Sequence, residues 1–551
     1  MGSVGYLLGV VLLLQVPPPS PTNEVARELE AARRWVFARE TTALEGLAEE
    51  LTRVNKPEAA GQLRKLFLPA AMPDGPTRIM PLPEVVGPGG KLPAGKDRPP
   101  GLKQQEEQPS PALDAPGLAK VNEIRSQAAL KLFELALRAA KSDPPRYSLA
   151  SVCLRAVLER QPDHPEARRL LGYVRHGDGW ARPVAVRKLK EGNVNHPTYG
   201  WVPSDWPPHL ERGELPVPQG RGQRKDRWLP TAEADRLRAG WDPPWQITTE
   251  HFKLLTSVPL AEAIRFGRRL EAFHDVFTTL LADILGDNLP LVRRFRDPAM
   301  TGEPEYRPHV VYYFAFKAEY VEYFRNRAGA PDLEQSLGYY EPPKSGRGRA
   351  AAYFFRDPEG QLPVEANLYH EVSHQLLFET AGPNAYTKNV GNYWVFEGLG
   401  TYFETVSPQD DGSIEVGGLV GRRIEEALKS LVDQKREIPL AEFIALDQQE
   451  FKKDNPRIYL YYQQAMALAV FLMQWRDGTY RDAFLDYVRD AYRGRIKRNT
   501  GRSLQDRLGQ PYETLDRQFL AFLESGRSRA ERNGPPPANS QSGAIRTVPN
   551  P

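Results

Sequence analysis

Two histidines four residues apart, with a glutamate directly after the first, constrain this chain more than any other feature. They are His370, Glu371 and His374 in the segment NLYHEVSHQLLFE. Three apolar residues recur at the same spacing: Leu368, Val372 and Leu376. Because residues four apart lie on one face of an α-helix, the pattern predicts a helix on which both imidazoles can reach one metal ion. Gly382 and Pro383 predict the end of this helix.

The composition restricts what else in the chain could bind a metal. The 551 residues include nine histidines and a single cysteine, Cys153, which excludes an internal disulfide framework and a cysteine-based zinc finger. A metal site must therefore use His, Asp and Glu. With nine histidines, H-E-x-x-H arises by chance in roughly one such chain in a hundred, so a third ligand is needed to support the prediction. Lys and Arg total 73 against 70 for Asp and Glu, a balance that argues against a dedicated nucleic-acid-binding protein.

A second predicted helix, Asn392–Glu404, carries a candidate for the third ligand. Catalytic zinc is commonly held by three protein ligands and keeps one open coordination position. Glu397 follows His374 by 23 residues, which leaves room for a turn and an antiparallel return of the chain. Gly398 and Gly400 permit close approach of the two helices, a reason to have glycine where it costs about 1 kcal/mol.

The two motifs together, H-E-x-x-H and then W-x-x-E-G on the next helix, resemble those of the gluzincin zinc metallopeptidases. The resemblance implies that His370, His374 and Glu397 bind zinc and that Glu371 is the general base. It covers roughly residues 245–525 and is specific only at the two motifs. The chain is also similar to uncharacterised bacterial domains that carry the same pair of motifs.

The activity that the resemblance implies is peptide hydrolysis. Zinc would lower the pKa of a bound water, and Glu371 would accept its proton and pass it to the leaving amine. Related peptidases stabilise the oxyanion with a Tyr or His from a later helix, which points to Tyr462; the alternative is a core aromatic residue with a satisfied hydroxyl. Some gluzincins have an acidic residue where this chain has Thr401, so support for a histidine ligand must come from elsewhere, and Glu404 is the candidate.

Substrate and function leave alternatives open at this stage. Peptide substrates commonly add as a strand to a sheet edge, and Ala350–Phe355 is expected to be either that edge or a buried strand of the same sheet. One alternative function is a protein-interaction module in which the N-terminal helical region binds a partner and the metallopeptidase-like domain is inactive or structural. Another is zinc-dependent hydrolysis of a non-peptide substrate.

The predicted fold class is α+β, with a zincin-like catalytic domain preceded by helical hairpins and a TPR-like region. The catalytic domain, residues 245–525, is expected to combine a small sheet, the active-site helix and a helical C-terminal part. The other predicted segments are a signal peptide (1–21), a helical hairpin (22–70), a Pro/Gly-rich linker (71–117), a TPR-like helical region (118–180), a Trp/Pro-rich connector (181–244) and a disordered tail (526–551).

Three observations lie behind these divisions. The apolar run from Tyr6 to Val16 is shorter than the about 20 residues that span a bilayer; it has the length of a signal-peptide core and predicts an exported protein, the alternative being a buried N-terminal helix. Residues 73–116 contain 17 Pro or Gly in 44 positions, which is typical of a linker. Ala150–Val174 resembles the junction of tetratricopeptide repeats, an ordinary helical hairpin being the alternative.

The remaining reactive side chains are predicted to be structural residues of the core or residues of the solvated surface. Seven histidines show no ligand spacing: His164, His176, His196, His209, His251, His274 and His309. Cys153 lies on the apolar side of a predicted helix and is expected to be a small core residue. The basic runs at 221–227 and 493–502 lack interleaved aromatic residues, which favours solvated surface over nucleic-acid contact. The predicted partners are a peptide or protein substrate and a protein bound by the N-terminal helices, with no nucleic acid and no membrane span.

Overall fold

The fold of this computed structural model combines many helices with several small sheets, which confirms the α+β class. The structure describes residues 21–67, 75–90, 114–217, 227–241, 243–300, 307–325, 333–334, 336–342, 350–360, 362, 364–381, 392–419, 422–452, 456–496 and 501–533.

The helices are bounded as follows: α1 Pro21–Arg53, α2 Pro57–Phe67, α3 Ala115–Lys141, α4 Tyr147–Arg160, α5 Pro165–Leu170, α6 Pro183–Lys190, α7 Pro207–Glu211, α8 Thr231–Arg238, α9 Leu260–Leu280, α10 Ala282–Leu285, α11 Pro290–Arg296, α12 Lys317–Arg325, α13 Val364–Ala381, α14 Trp394–Phe403, α15 Arg422–Leu428, α16 Leu440–Phe443, α17 Gln448–Lys452, α18 Ile458–Gly478, α19 Arg481–Tyr492, α20 Gly501–Leu508 and α21 Tyr512–Asn533. Short 3₁₀ turns lie at Pro88–Gly90 and Gly286–Asn288, and a π-helical turn at Lys429–Asp433.

The strands are β1 Thr77–Ile79, β2 Val85–Val86, β3 Val174–His176, β4 Gly179–Ala181, β5 Asn193–His196, β6 Gly200–Pro203, β7 Glu214–Val217, β8 Arg227–Pro230, β9 Trp245–Thr248, β10 Phe252–Thr256, β11 His309–Phe314, β12 Gly338–Glu341, β13 Ala351–Phe355, β14 Ser407–Pro408 and β15 Ile414–Val416.

A five-stranded sheet has the strand order β12-β13-β11-β10-β9. It lies beside α13, the helix that carries the H-E-x-x-H motif. Strands β10, β11 and β13 are parallel, and β9 and β12 run antiparallel at the two ends. All five residues of β13 are buried, as expected for a strand that is apolar on both faces. The edge role predicted for Ala350–Phe355 is therefore wrong, because β12 covers that strand, and the alternative of a buried strand is correct.

The N-terminal helices form hairpins, but in the described residues that follow α4 the chain does not continue as a repeat of long helices. Helices α1 and α2 pack against each other around a turn at Asn55, whose φ is 61°, and α3 packs against α4. Helix α5 has only six residues, too few for the second helix of a TPR-type pair. The chain leaves it at Gly172, with a φ of 94°, and enters β3. The ordinary hairpin is therefore the correct interpretation.

The predicted linker is wrong for residues 75–90. Strand β1 pairs antiparallel with β15, which lies beyond the second motif, and β2 pairs with β4. Pairing to distant strands supplies the backbone hydrogen bonds that a Pro/Gly-rich segment cannot make within itself. Residues 91–113 lie outside the described residues.

The predicted irregular connector is a pair of β-hairpins joined by short helices. Strand β5 pairs with β6, and β7 pairs with β8. Their apolar side chains, including Val202 and Leu215, form a small separate cluster with Trp245 of β9. Trp206 and Trp228 meet edge to face, with ring centroids 5.5 Å apart. The tryptophans of this segment, from which an irregular connector was predicted, therefore form a local hydrophobic core.

The predictions for the two ends of the chain differ in how far the structure tests them. The tail was predicted to be disordered from 526, but α21 continues to Asn533, and Gly526 within it lies against the side chain of Leu419. The predicted signal peptide falls almost entirely outside the described residues. Among the described helices, none combines the length and apolar character needed to cross a membrane.

One hydrophobic core joins the N-terminal helices to α13 and α14, the two helices that carry the sequence motifs (the motif helices). It contains Leu29 of α1, Leu154 of α4, Val372 of α13 and Leu523 of α21. Cys153 is fully buried within it, as predicted. The two motif helices are thus supported by residues from both halves of the chain.

Candidate metal centre

Helix α13 presents His370 and His374 from one face, as the spacing predicts. Both side chains are buried, and so is Glu371 between them. The apolar stripe of the same helix is at most 2% exposed: Leu368, Val372 and Leu376. The Gln375 side chain donates to the Val310 carbonyl at 3.0 Å and ties the helix to the central sheet. The motif therefore lies on a helix fixed by core packing.

Helix α14 brings Glu397 to the two imidazoles. The Nε2 atoms of His370 and His374 are 3.1 Å apart. Oε2 of Glu397 lies 3.4 Å from the first of these nitrogens and 3.9 Å from the second. Ligands bound tetrahedrally at about 2.1 Å are about 3.4 Å apart, so the three separations fit a single zinc ion. The donor set, two imidazole nitrogens and a carboxylate oxygen, also suits zinc.

Glu404 supports the first histidine from behind. Its Oε1 lies 2.8 Å from Nδ1 of His370, which favours the tautomer that donates from Nδ1 and leaves the Nε2 lone pair facing the centre. The contact places Glu404 where the sequence suggested a substitute for the acidic residue missing at Thr401. The hydroxyl of Thr401 donates instead to the Glu397 carbonyl at 2.8 Å.

Both glycines of the second motif lie at close helix contacts. A Cβ on Gly400 would be 2.8–3.0 Å from the ring atoms of His370. A Cβ on Gly398 would be 2.9 Å from the carbonyl oxygen of Ala465 in α18. The first glycine makes room for a candidate ligand and the second for a neighbouring helix, in agreement with the close approach that the sequence predicts.

Two further residues hold the other oxygen of Glu397. The Tyr393 hydroxyl donates to Oε1 at 2.5 Å, and Nζ of Lys452 lies 3.7 Å away from it. Sequence reasoning missed both. Tyr393 precedes Glu397 by one helical turn, a spacing that could have identified it. Lys452 lies at the end of α17, and no local pattern connects it to the motifs.

The electrostatic environment moves the pKa values of the ionisable groups of the centre in different directions. Burial raises the pKa of Glu371 to about 7, with His370 opposing the rise and Glu397 adding to it. Burial alone would lower the pKa of His370, but hydrogen bonds to Glu397 and Glu404 raise it to about 10. Burial and the charge of His370 lower the pKa of His374 to about 3. For Glu397, Lys452 and the imidazoles outweigh burial and bring the pKa below its usual range.

Tyr462, the predicted oxyanion donor, lies beside the same centre. Its ring meets Phe451 edge to face, with centroids 5.4 Å apart, and its hydroxyl interacts with Glu397. Burial, with the charges of Glu397 and Glu371, raises the pKa of Tyr462 well above the usual value. The hydroxyl therefore remains a proton donor at neutral pH. Its role in stabilising an oxyanion stays a prediction.

A second group with metal-ligand chemistry consists of His251, Glu271 and His274, and sequence spacing did not reveal it. One ligand atom from each lies within 4.8 Å of the others. Glu271 and His274 are three residues apart on α9, but His251 comes from the turn between β9 and β10. Nearby, Nδ1 of His309 lies 2.6 Å from the Glu379 carboxylate.

Comparison with known protein families gives a match over the region that contains both motifs. A family model described as "Protein of unknown function (DUF1570)" matches residues 365–495. This range contains His370, Glu371, His374, Glu397 and Tyr462, and the family description states no activity. The comparison with curated proteins gave no match.

Proposed function

We propose that this chain is a zinc-dependent hydrolase of the gluzincin type that cleaves peptide bonds. The observation that carries the proposal is the convergence of the two Nε2 atoms and Glu397 Oε2, at separations of 3.1, 3.4 and 3.9 Å. His370, His374 and Glu397 would hold the ion. Bound zinc would supply a Lewis acid that activates water and polarises the scissile carbonyl.

The residues around the centre fit distinct parts of such a reaction. Glu371 is buried on α13 directly after His370 and would take a proton from the attacking water and return it to the leaving group. Glu404 orients His370, and Tyr393 fixes the rotamer of Glu397 through its second oxygen. Tyr462 keeps its proton and would donate a hydrogen bond to the developing oxyanion.

A peptide is the favoured substrate because a short antiparallel strand ends the sheet beside α13. Strand β12 is the last described strand on that side, and the ring of Tyr340 packs against Phe378 of α13 with centroids 6.0 Å apart. Extended peptides bind by adding a strand to such an edge. A small hydrolysable substrate of another class would use the same chemistry, and substrate profiling would separate the two.

The interaction-module alternative depends on an available apolar face on the N-terminal helices. Leu132 of α3 and Leu154 of α4 are fully buried in the core that they share with α13. The faces that carry these two leucines are therefore occupied by the shared core and are not available to a partner.

The test combines metal analysis with three variants of the full chain. Glu371→Gln should retain zinc and lose hydrolysis of a quenched fluorescent peptide library, because the amide cannot accept the proton. Glu397→Ala should bind one zinc equivalent fewer than the unaltered chain. Glu365→Gln is the matched control, since this carboxylate on the same helix is 72% exposed and pairs with Arg269. Absence of bound zinc after reconstitution, or full hydrolysis by Glu371→Gln, would refute the proposal.

A further inference from the structure

A second potential metal site lies on α9, on a different side of the helix from Phe273. Glu271 and His274, three residues apart, share that side of the helix. Phe273 between them points the other way, with its ring 5.0 Å from Tyr369 and 5.3 Å from Phe403. The group therefore lies on a different side of α9 from the ring that contacts Tyr369 of α13 and Phe403 of α14.

The carboxylate of Glu271 is already fixed in place by the chain around His251. Its Oε1 accepts hydrogen bonds from the backbone N–H of His251 at 2.7 Å and from the Thr249 hydroxyl at 2.5 Å. Its Oε2 lies 2.7 Å from Nδ1 of His251. The strand turn approaches α9 closely because Gly267 leaves space, and a Cβ there would be 3.3 Å from Thr249. Two rigid elements thus hold the carboxylate and the first imidazole together.

His274 supplies the third side chain of this group. The rings of His251 and His274 stack with centroids 3.7 Å apart and planes inclined by 18°. One ligand atom each from His251, Glu271 and His274 lies within 4.8 Å of the others. Ligands on one zinc ion are about 3.4 Å apart, so coordination of all three requires the stacked imidazole rings to turn until their lone pairs converge on the ion.

We propose that His251, Glu271 and His274 bind a second divalent transition-metal ion, with zinc as the best fit. Two imidazoles and one carboxylate are borderline ligands that suit zinc better than magnesium or calcium. The proposal concerns residues outside both sequence motifs and does not depend on hydrolysis at the first centre.

The surroundings leave this ion accessible to solvent. The three residues line a cavity of about 1760 Å³. An ion held by three protein ligands at such a wall keeps an open coordination position for water or a small anion. Arg182 also lines the cavity, but its charge is offset by Glu250 at 3.4 Å and Asp275 at 3.9 Å.

An ordinary His–Glu pair is the competing explanation, and the chain contains a matched example. His209 lies 2.6 Å from the Glu214 carboxylate on a β-hairpin, and that pair is not part of either three-residue ligand group found in the described chain. If pairing alone accounts for His251 and Glu271, the two pairs should behave alike toward metals.

The experiment uses cobalt(II) as a spectroscopic probe on the full chain carrying His370→Gln and His374→Gln, which removes the first centre. This background should bind one equivalent of cobalt and show visible d–d absorption. Adding His274→Gln should weaken cobalt binding at least tenfold, and adding His209→Gln should leave it unchanged. Circular dichroism would establish that each variant is folded.

Two outcomes would overturn the proposal: no cobalt binding by the background variant, or equal binding after His274→Gln. A second readout uses the otherwise unaltered chain, in which Glu271→Gln should remove one of two zinc equivalents and the increase in Tm that accompanies it. Because the cobalt assay lacks the first centre, its failure leaves the proposed hydrolase untouched, and failure of hydrolysis leaves this site untouched.

Discussion

At the scale of single residues, the contact between Gly400 and the His370 ring is the most sensitive point of the candidate centre. Gly400→Ala would place a Cβ 2.8–3.0 Å from three ring atoms, so the ring must move and the ligand geometry must change. We expect the zinc Kd, measured by competition with a chromogenic chelator, to rise about 10-fold to 100-fold. Gly46→Ala on α1 meets no atom within 4 Å; this control should leave the Kd unchanged and stabilise the chain by about 0.5–1 kcal/mol.

An unchanged zinc Kd in Gly400→Ala would show that the imidazole is not confined by α14. The free energy of unfolding distinguishes a local effect on the ligand from general destabilisation of the fold. Alanine has a higher helix propensity than glycine, so the substitution can displace the ligand without weakening the helix. A variant that loses metal affinity without losing stability would identify the contact as specific to the centre.

The residues of the candidate centre could be predicted from sequence only where local spacing carried the information. His370 and His374 follow from a helical period, and Glu397 follows from the next helix along the chain. Lys452 and His251 could not be found in this way. Each reaches its group through tertiary packing, Lys452 toward Glu397 at 3.7 Å and His251 toward Glu271 at 2.7 Å, and neither contact leaves a periodic pattern in the sequence.

At the scale of elements, β1 is a three-residue strand that anchors the N-terminal half to β15, the strand that follows α14 and β14. Ile79 is 3% exposed and pairs with Ile414 of β15. Ile79→Ala should therefore lower the free energy of unfolding by about 2–4 kcal/mol through lost burial and the cavity left behind. Urea denaturation followed by circular dichroism measures the loss.

The neighbouring residue provides the control for this strand. Arg78 points outward and pairs with Asp411, with both side chains about half exposed, so Arg78→Ala should cost less than about 1 kcal/mol. Equal losses for the two variants would mean that β1 adds only a surface contact to the fold.

The same strand explains why the linker prediction was wrong for residues 75–90. A segment of three residues is too short to show a strand period, and its partner is more than 330 positions away in the chain. Proline and glycine dominate the composition around it, so the sequence indicates a linker. In contrast, the long helices α9, α13 and α18 repeat apolar residues over several turns, and their existence could be predicted locally.

At the scale of the whole molecule, a partly buried carboxyl group lies where three parts of the chain meet. Asp482 in α19 is surrounded by Arg146, Asp283, Glu30 and Arg481. Burial raises its pKa to about 7; Arg146 opposes the rise, and Asp283 and Glu30 add to it. The folded chain thus holds a proton that the unfolded chain releases near pH 4. This contribution to stability is complete below about pH 4 and is lost as the pH rises toward 7, at up to about 1.4 kcal/mol per pH unit.

Asp482→Asn should remove this part of the pH dependence. The urea midpoint of the variant should match that of the unaltered chain near pH 4 and exceed it increasingly toward pH 8, because the amide does not ionise. Asp477→Asn is the control, since this side chain is 54% exposed and its positive φ of 57° is one that asparagine tolerates. Parallel midpoint curves for Asp482→Asn and the unaltered chain would contradict the assignment.

The shared core predicts that the N-terminal helices and the metal centre unfold together. Arg146 at the start of α4 is 1% exposed and bonds Asp486 of α19 at 3.2–3.3 Å, and Leu154 lies in the same core as α13. Leu154→Ala should lower the free energy of unfolding by about 2–5 kcal/mol and increase amide hydrogen exchange in peptides covering α13 as much as in those covering α4. Leu130→Ala, at a side chain 55% exposed, should change neither. Separate domains, as the sequence suggests, would instead confine the faster exchange to α3 and α4, and that result would exclude a single cooperative unit.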